Sequence, residues 1–597
     1  MSIRIVLKSL VDVRHPFLVG LPKVTRSATW IGDVSVGLAP SVHVVVVDLT
    51  SHVHWRASHQ PNVNPSTHDS TVHAANITKV PITAYLNSRT RVTLSKLYTL
   101  NHQALSSPSD SNSSSDTMTG ATLREGQADL PSTKSTRSYW HREPSEALLG
   151  HRTTKSLPPT ADVVVVGSGI TGAFAAKELK EGSDGASRNV LLLEAREVCW
   201  GATGRNGGHC QPVVYGPSTA IADFELQTYN YLRDLVTANA IPCDWVSLRG
   251  VHALLTADLV AKAADAIAVL PPHLKSAVRL VTDAEELKTL RVPGAAGAAV
   301  QENAASCWPY KLVAWVFEDL ISKFGGGQQQ SAGEGGWFNL QTNTPVTRLQ
   351  RLDGAGDDGA SWIVHTERGQ VAAKQVLLCS NAYTSRLLPA FSNLIVPVRG
   401  QVAALLPEPR AEIERSYVFM ASSSGSSPNQ DDYLIQRPSP GLEMILGGGR
   451  ANGTARGVGI SDDDEVDPVV ASYLRRAGAK NIDLQGDGEQ PTDPEELKAS
   501  YEWTGIMAFS RDGRPWVGEV PAGDVLGGGA GLWVCAGYTG HGMPQAALCG
   551  RAVAGMMAGT ENGIQVPGDF VVGEERARRA QAMPSIKEMD DLDMFLL

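Results

Sequence analysis

The chain has 597 residues, 42% of them hydrophobic and 19% charged, so it is globular and too long for one ordinary domain. Its formal net charge of −10 argues against nucleic acid as a partner, and no apolar run approaches the roughly 20 residues of a membrane-spanning helix. The seven cysteines are odd in number, lack CxxC spacing and sit mostly among apolar residues; this pattern fits reduced core residues in a reducing compartment such as the cytoplasm, with neither a metal centre nor a disulfide framework.

Residues 1–117 differ from the remainder. They contain no Glu, hold eight of the fifteen histidines, show poor periodicity and end in a polar tract spanning Ser106 to Ser115. Three readings stay open: a disordered extension, an organelle-targeting segment, or upstream sequence joined to a chain that starts at Met118. The third is favoured, because Asp12, Asp33 and the lack of a clean amphipathic face weaken targeting. Residues 118–159 follow as an arm, in which Tyr139-Trp140 offers an aromatic pair to pin it to the body.

The most informative stretch comes next. Asp162-Val-Val-Val-Val is a buried strand, and Gly167-Ser168-Gly169-Ile170-Thr171-Gly172 then opens a helix carrying Ala173, Phe174, Ala176 and Leu179 on its apolar side. The three glycines allow a sharp turn, close approach to a pyrophosphate, and tight packing of helix on sheet. Free N–H groups at the helix start would face the phosphates. A second strand, Val190-Leu-Leu-Leu, ends at Glu194, placed to accept hydrogen bonds from ribose hydroxyls. Strand, GxGxxG, helix, strand and acid together predict a dinucleotide site.

After Ala195-Arg196 the chain does not proceed to another helix and strand. It runs Trp200-Gly-Ala202-Thr203-Gly204-Arg205-Asn206-Gly207-Gly208-His209, a segment suited to lying flat against a planar ring because glycine has no Cβ. Here the chain resembles the flavin oxidoreductases of the D-amino-acid oxidase, glycine oxidase and sarcosine oxidase superfamily, most of all the γ-glutamylputrescine oxidoreductase-like branch. The resemblance covers roughly residues 136–565. It implies FAD, with this loop beside the pyrophosphate and the isoalloxazine. The implied fold is α/β: a discontinuous Rossmann-like FAD-binding domain (160–215, 300–395 and 501–565) plus an α+β substrate domain (216–299 and 396–500) with a mixed, mainly antiparallel sheet, then a C-terminal tail (566–597).

Along the rest of the chain, 216–300 is rich in Ala and Leu at helical spacing. A helix from Trp308 through Leu320 is closed by Gly325-Gly-Gly. A strand from Phe338 leads to a turn before Val346, a position the superfamily uses for main-chain contact with adenine. Strands at 361–366 and 375–379 follow, the latter stopping at Ser380-Asn381-Ala382. Antiparallel strands are predicted at 397–405, 432–437 and 444–450, while the acid run Asp462–Glu465 reads as solvated surface. Trp503 through Gly518 reads as a strand-turn-strand, and Leu532–Ala536 as a strand. It leads into Gly537-Tyr-Thr539-Gly540-His541-Gly542-Met543-Pro544 and a helix. Proline in the first turn and the glycines before it define that helix's N-terminus, which in the superfamily points at the flavin N1–C2=O edge and would stabilise negative charge there.

No second GxGxxG stands between a strand and a helix, so electrons are expected from the substrate and not from a nicotinamide. By resemblance, the carbon next to an amine nitrogen delivers hydride to flavin N5 and the imine hydrolyses; the protein contributes binding, orientation and electrostatics. Oxygen or an electron carrier would take the electrons. Two other readings stay open: a biosynthetic dehydrogenase with a protein or quinone acceptor, and an FAD-binding assembly factor without turnover. His209, Tyr433 and His541 are the catalytic candidates. His209 either faces the substrate or hydrogen-bonds behind it, and His541 is more readily placed by its backbone than used as a base. Gln401 and Arg450 are further candidates for the roof; Arg450 is suited to clamp a carboxylate or to a salt bridge. The flavin-linking Cys of sarcosine oxidases is missing where this chain reads Gly505-Ile506-Met507, so non-covalent FAD is expected.

Overall fold

The structure is a computed structural model. It describes residues 2–11, 26–39, 42–46 and 123–589, apart from 217, 327–334, 353, 355–358 and 424–428. Two compact units divide the chain at 116/117. In the first, Ser2–Val11, Arg26–Ala39 and Val42–Val46 form an antiparallel three-stranded meander. The expectations for the rest of 1–117 lie outside the described residues.

The second unit contains two sheets. At the heart of the first are five parallel strands in the order Phe338–Gln341, Val190–Leu193, Thr160–Val166, Gly369–Leu378 and Leu532–Ala536. The four valines of Thr160–Val166 are all buried because this strand is covered on both faces: Val163 and Val165 pack in one cluster with Phe174 and Leu179 of the following helix, Val164 and Val166 in another with Val346, Trp362 and Val364. Helix Ile170–Glu181 lies against helix Ala546–Ala558, closely enough that a Cβ on Gly550 would collide with the carbonyl oxygen of Thr171. Helix Pro309–Phe324 starts on its proline and ends where Gly325 N–H donates to Ile321 O (2.8 Å). In register, Val166 stands beside Leu193 and Leu378, and Leu378 beside Val534. The strands therefore end together, and the loops after them meet at the carboxyl edge where open α/β sheets bind ligands.

The second sheet has nine strands. Along its path run Ala499–Ser510, Ile395–Leu405, Met444–Gly448, Gln430–Gln436, Arg415–Ala421, Val246–Leu254, Gly297–Ser306 and His209–Cys210, with Val278–Val281 paired off the path to Gly297–Ser306. All pairs are antiparallel except Arg415–Ala421 with Val246–Leu254. The glycine-rich segment thus leaves the first sheet and enters the edge of the second at His209, so one short stretch of backbone joins the two.

Three expectations need correction. Gly297–Ser306 belongs to the second sheet through most of its length, although its Ala-rich sequence has little strand propensity; pairing with Val246–Leu254 overrides it. Ala499–Ser510 and Trp516–Glu519 keep the expected strand-turn-strand order but do not share the first sheet: the first pairs with Ile395–Leu405 in the second sheet, the second with Leu532–Ala536 in the first. Pro544 sits in the turn ahead of the last-named helix, which begins at Ala546 after Gln545, and not in its first turn. Among the described residues no helix is long and apolar enough to cross a membrane.

Candidate active site

At the first crossover the three glycines have separate tasks. Gly167 takes φ +107°, and a Cβ there would lie 2.7 Å from Cys379 O. Gly169 precedes the helix, and Gly172 faces the carbonyl oxygen of Gly167 so closely that no side chain fits. Glu194 accepts from Ser168 N–H (2.9 Å) and Ser168 Oγ (2.6 Å) through one oxygen and from Arg196 N–H (2.8 Å) through the other. The acid is thereby fixed at the end of its strand, on the cavity wall.

The loop 199–206 is held from outside by its carbonyls. His141 Nε2 lies 3.2 Å from Cys199 O, Ser138 Oγ donates to Gly204 O (2.8 Å), Trp503 Nε1 to Arg205 O (2.7 Å), and Trp140 Nε1 to Asn206 O (2.6 Å). Tyr139 and Trp140 form the expected aromatic pair, edge to face at 5.2 Å, but the larger role of this arm is to grip the glycine loop. Arg205 is buried, donates through Nε to Thr504 O (2.6 Å), and leaves Nη1 without a partner among the described residues. Arg196 and Arg205 each lie 3.0 Å from the carboxylate of Asp463. That carboxylate is fully buried, which corrects the reading of Asp462–Glu465 as solvated surface.

Beyond the loop, one cavity of about 570 Å³ continues from the strand ends to the second sheet. His209 lies on its wall with Nε2 unpartnered among the described residues, and burial draws its pKa down to about 4, so the ring is neutral. Its ring centre stands 6.4 Å from that of Tyr433, whose ring fills the space a Cβ on Gly207 would need. His541 Nε2 lies 3.1 Å from Glu225 Oε2. Burial works against charge on His541, but the Glu225 carboxylate and its hydrogen bond outweigh this and hold the pKa above the ordinary value. Glu225 also accepts from Val213 N–H and Gln545 Nε2, so this buried acid ties helix Thr219–Asn239 to the 537–545 turn. Arg450 pairs with Asp431 (2.7 Å). Gln401 exchanges two hydrogen bonds with the backbone of Asp467, which occupies the amide expected to meet substrate.

Behind Asp431 and Tyr433, Asp432 is fully buried and accepts from Tyr473 Oη (2.6 Å), Gln430 Nε2 (2.8 Å) and Gly449 N–H (2.8 Å). Burial pushes its carboxyl up to about 7 from an ordinary 3.8. Between these values the folded chain binds a proton that the unfolded chain does not, so its stabilising contribution is full below 3.8 and is lost as pH rises through about 7. Relative to the parent, Asp432→Asn should therefore gain in melting temperature across that interval, whatever its offset at low pH. Parallel curves for the two proteins would refute this.

Of the residues predicted from sequence, segments 167–171, 194–196, 202–203 and 205–207 line the cavity, as do His209, Val346, Asn381, Ala382, Tyr433, Gly540, His541, Gly542 and Met543. Gly172, Gly208, Gly537 and Thr539 do not; they shape the lining from behind. Gly208 packs on the Trp140 ring, Gly537 N–H donates to Asn381 Oδ1 (3.1 Å), and Thr539 Oγ1 accepts from Ser510 N–H (3.1 Å). The Gly537–Asn381 bond joins two of the loops expected to converge. Asp463, Glu225 and the arm contacts escaped the sequence reading, since each acts on residues far away in the chain.

Comparison with known proteins agrees with this architecture. The DAO family model, described as FAD dependent oxidoreductase, matches residues 162–556. Gamma-glutamylputrescine oxidoreductase of Escherichia coli is 23% identical over 419 residues, covering 67% of this chain and 84% of that protein. Two solved structures share the fold: glycine oxidase from Geobacillus kaustophilus (TM-score 0.52, 20% identity, 69% of this chain and 98% of that one) and L-proline dehydrogenase from P. horikoshii (TM-score 0.53, 19% identity, 71% and 99%).

Proposed function

The chain belongs to the DAO family of FAD-dependent oxidoreductases, and from that premise we propose that it oxidises an amine or amino acid at the carbon bearing the nitrogen. The observation that carries the reading is the single cavity running from the GxGxxG crossover, past the glycine loop, to a wall bearing His209 and Tyr433. The residues fit the cofactor: the backbone at 167–172 admits no Cβ at two points, and buried Arg205 Nη1 and His209 Nε2 each lack a protein partner among the described residues. Segment 167–171 and the first turn of its helix would hold the pyrophosphate, Glu194 the ribose, and 201–207 with 540–543 the ring system. We assign cofactor binding to the first sheet and substrate cover to the second. Met507 stands where a linking cysteine would be needed, which supports non-covalent attachment.

FAD, when bound, supplies the acceptor for the hydride equivalent leaving the carbon next to nitrogen. The chain's own groups position and tune. His541, whose protonated form Glu225 favours, and the start of helix Ala546–Ala558 both favour negative charge at their end of the cavity. Neutral His209 offers Nε2 for a hydrogen bond without competing for charge. The two other glycine runs lead elsewhere, Gly447–Gly449 into a short turn at Arg450–Asn452 and Gly527–Gly531 into strand Leu532–Ala536, which supports electrons coming from the substrate.

Purified protein should be yellow, and an anaerobic screen of amines and amino acids, beginning with N-acylated diamines such as γ-glutamylputrescine, should bleach it. Fast recovery of colour in air identifies an oxidase, slow recovery a dehydrogenase with a carrier. A yellow protein that no amine or amino acid bleaches would overturn the proposal.

A further inference from the structure

A part of the cavity wall outside the expected machinery carries a hydrogen-bond relay. His252 is buried on strand Val246–Leu254, with Nδ1 2.7 Å from the Tyr215 hydroxyl. On the other side of the ring, Nε2 lies 2.6 Å from Gln211 Nε2 and 3.1 Å from Gln301 Nε2. The orientation of Gln301 is fixed independently, because its Oε1 accepts from Val214 N–H (2.9 Å). That of Gln211 agrees, its Oε1 accepting from Ser416 Oγ (3.1 Å). Both amides therefore present N–H to Nε2, which must accept. Burial draws the His252 pKa down to about 3, so the ring is neutral and its one proton is on Nδ1.

The consequence falls on Tyr215. Its oxygen accepts from His252, and its own proton has no protein acceptor among the described residues. Tyr215 lines the cavity among Leu254, Leu259, Ala263 and Met420, with the exposed Lys262 also on this stretch of wall, so its hydroxyl is a buried donor in mainly apolar surroundings. A buried donor without a partner is costly, and such isolated groups fix ligand orientation in otherwise apolar pockets. Along the chain, residues 209, 211, 213 and 215 all line the cavity while Cys210 and Val214 turn into the core. An extended path of this kind separates His209 from Tyr215 by at most about 20 Å.

We propose that Tyr215 is a specificity-determining residue, the donor that recognises an oxygen acceptor, carbonyl or carboxylate, on an elongated amine at the end remote from the reacting carbon. His252, Gln211 and Gln301 are positioning residues that turn its proton toward the cavity. The assignment rests on the amine-oxidising reading above for the identity of the substrate, but not for the donor itself.

The test compares ω-amino acids, their primary amides and n-alkylamines of matching length, butyl to octyl, on the holoenzyme. At the best length the wild type should favour an oxygen-bearing ligand over the alkylamine by about tenfold or more, expressed in KM and not in kcat. Tyr215→Phe should bring that ratio toward one, again through KM. Preference for acid and amide alike marks a neutral acceptor; preference for the acid alone marks a carboxylate; either supports the donor. If none of the series is oxidised, calorimetric affinities give the same ratio while the bleaching screen judges the reaction separately. Should Tyr215→Phe fail to fold, the wild-type ratio decides. Absence of any preference in the wild type, or its survival in Tyr215→Phe, would overturn the assignment.

Discussion

Gly172→Val should yield a protein that is purified without flavin. The would-be Cβ of Gly172 falls on the carbonyl oxygen of Gly167, a backbone atom that no rotamer change can move. Gly167 cannot retreat, since it sits at φ +107° against Cys379 O, just past the end of the strand beside it. The helix must shift instead, and it cannot do so freely because Gly550 of the neighbouring helix meets it at Thr171. Overpacking at such a site costs on the order of 1–3 kcal/mol, and the displacement acts on the N–H groups proposed to meet the pyrophosphate. We expect flavin content to drop at least tenfold, measured as flavin released on heating per mole of protein. Gly568→Ala is the control: its Cβ would enter open space at an ordinary φ, and full flavin content should remain. Gly172→Val with a full complement of flavin would show that close packing here is dispensable.

This crossover was legible because everything that defines it is local. Four consecutive valines, three glycines at fixed spacing, and an acid closing the next strand all fall within a stretch from Asp162 to Glu194. The loop at 200–209 was legible as a backbone meant for a flat surface, but what holds it there was not. Ser138, His141 and Trp503 reach it from remote positions, and no spacing in the sequence links them. The sheet membership of Gly297–Ser306 was lost for a related reason, since a strand of small residues is specified by its partner more than by its own pattern. Helix Pro468–Lys480 is a different case. Asp467 caps it, accepting from Val469 N–H (2.9 Å), with proline at the first position and Val470, Leu474 and Ala477 along one face. Those signals were present, and the surrounding strand pattern masked them. The acid run misled by averaging: Asp462, Asp464 and Glu465 are exposed, and composition describes those three well while missing Asp463 between them.

Asp463 is also where the largest loss of stability is expected. Its side chain is 1% exposed, that of Arg196 6% and that of Arg205 1%, and both guanidinium groups approach the carboxylate at 3.0 Å. Burial already dominates at Arg205, drawing its pKa to about 10 even with the attraction of Asp463 opposing it. In Asp463→Ala two desolvated cations face each other with no anion between them. Removing one member of a buried ion pair typically costs about 3–5 kcal/mol, and we expect urea unfolding to report a loss in that range. Asp463→Asn, which keeps shape and one acceptor oxygen, should lose less. Flavin affinity should fall with stability, because Arg196 Nη2 donates to Trp200 O (2.6 Å) and Arg205 Nε to Thr504 O, so both arginines brace the ends of the glycine loop. Excess FAD should then recover part of the lost stability, since a ligand bound only by the folded state raises it by mass action. An Asp463→Ala protein that unfolds within about 1 kcal/mol of the parent would place the two arginines in contact with compensating groups or water, and would remove Asp463 from the support of the loop.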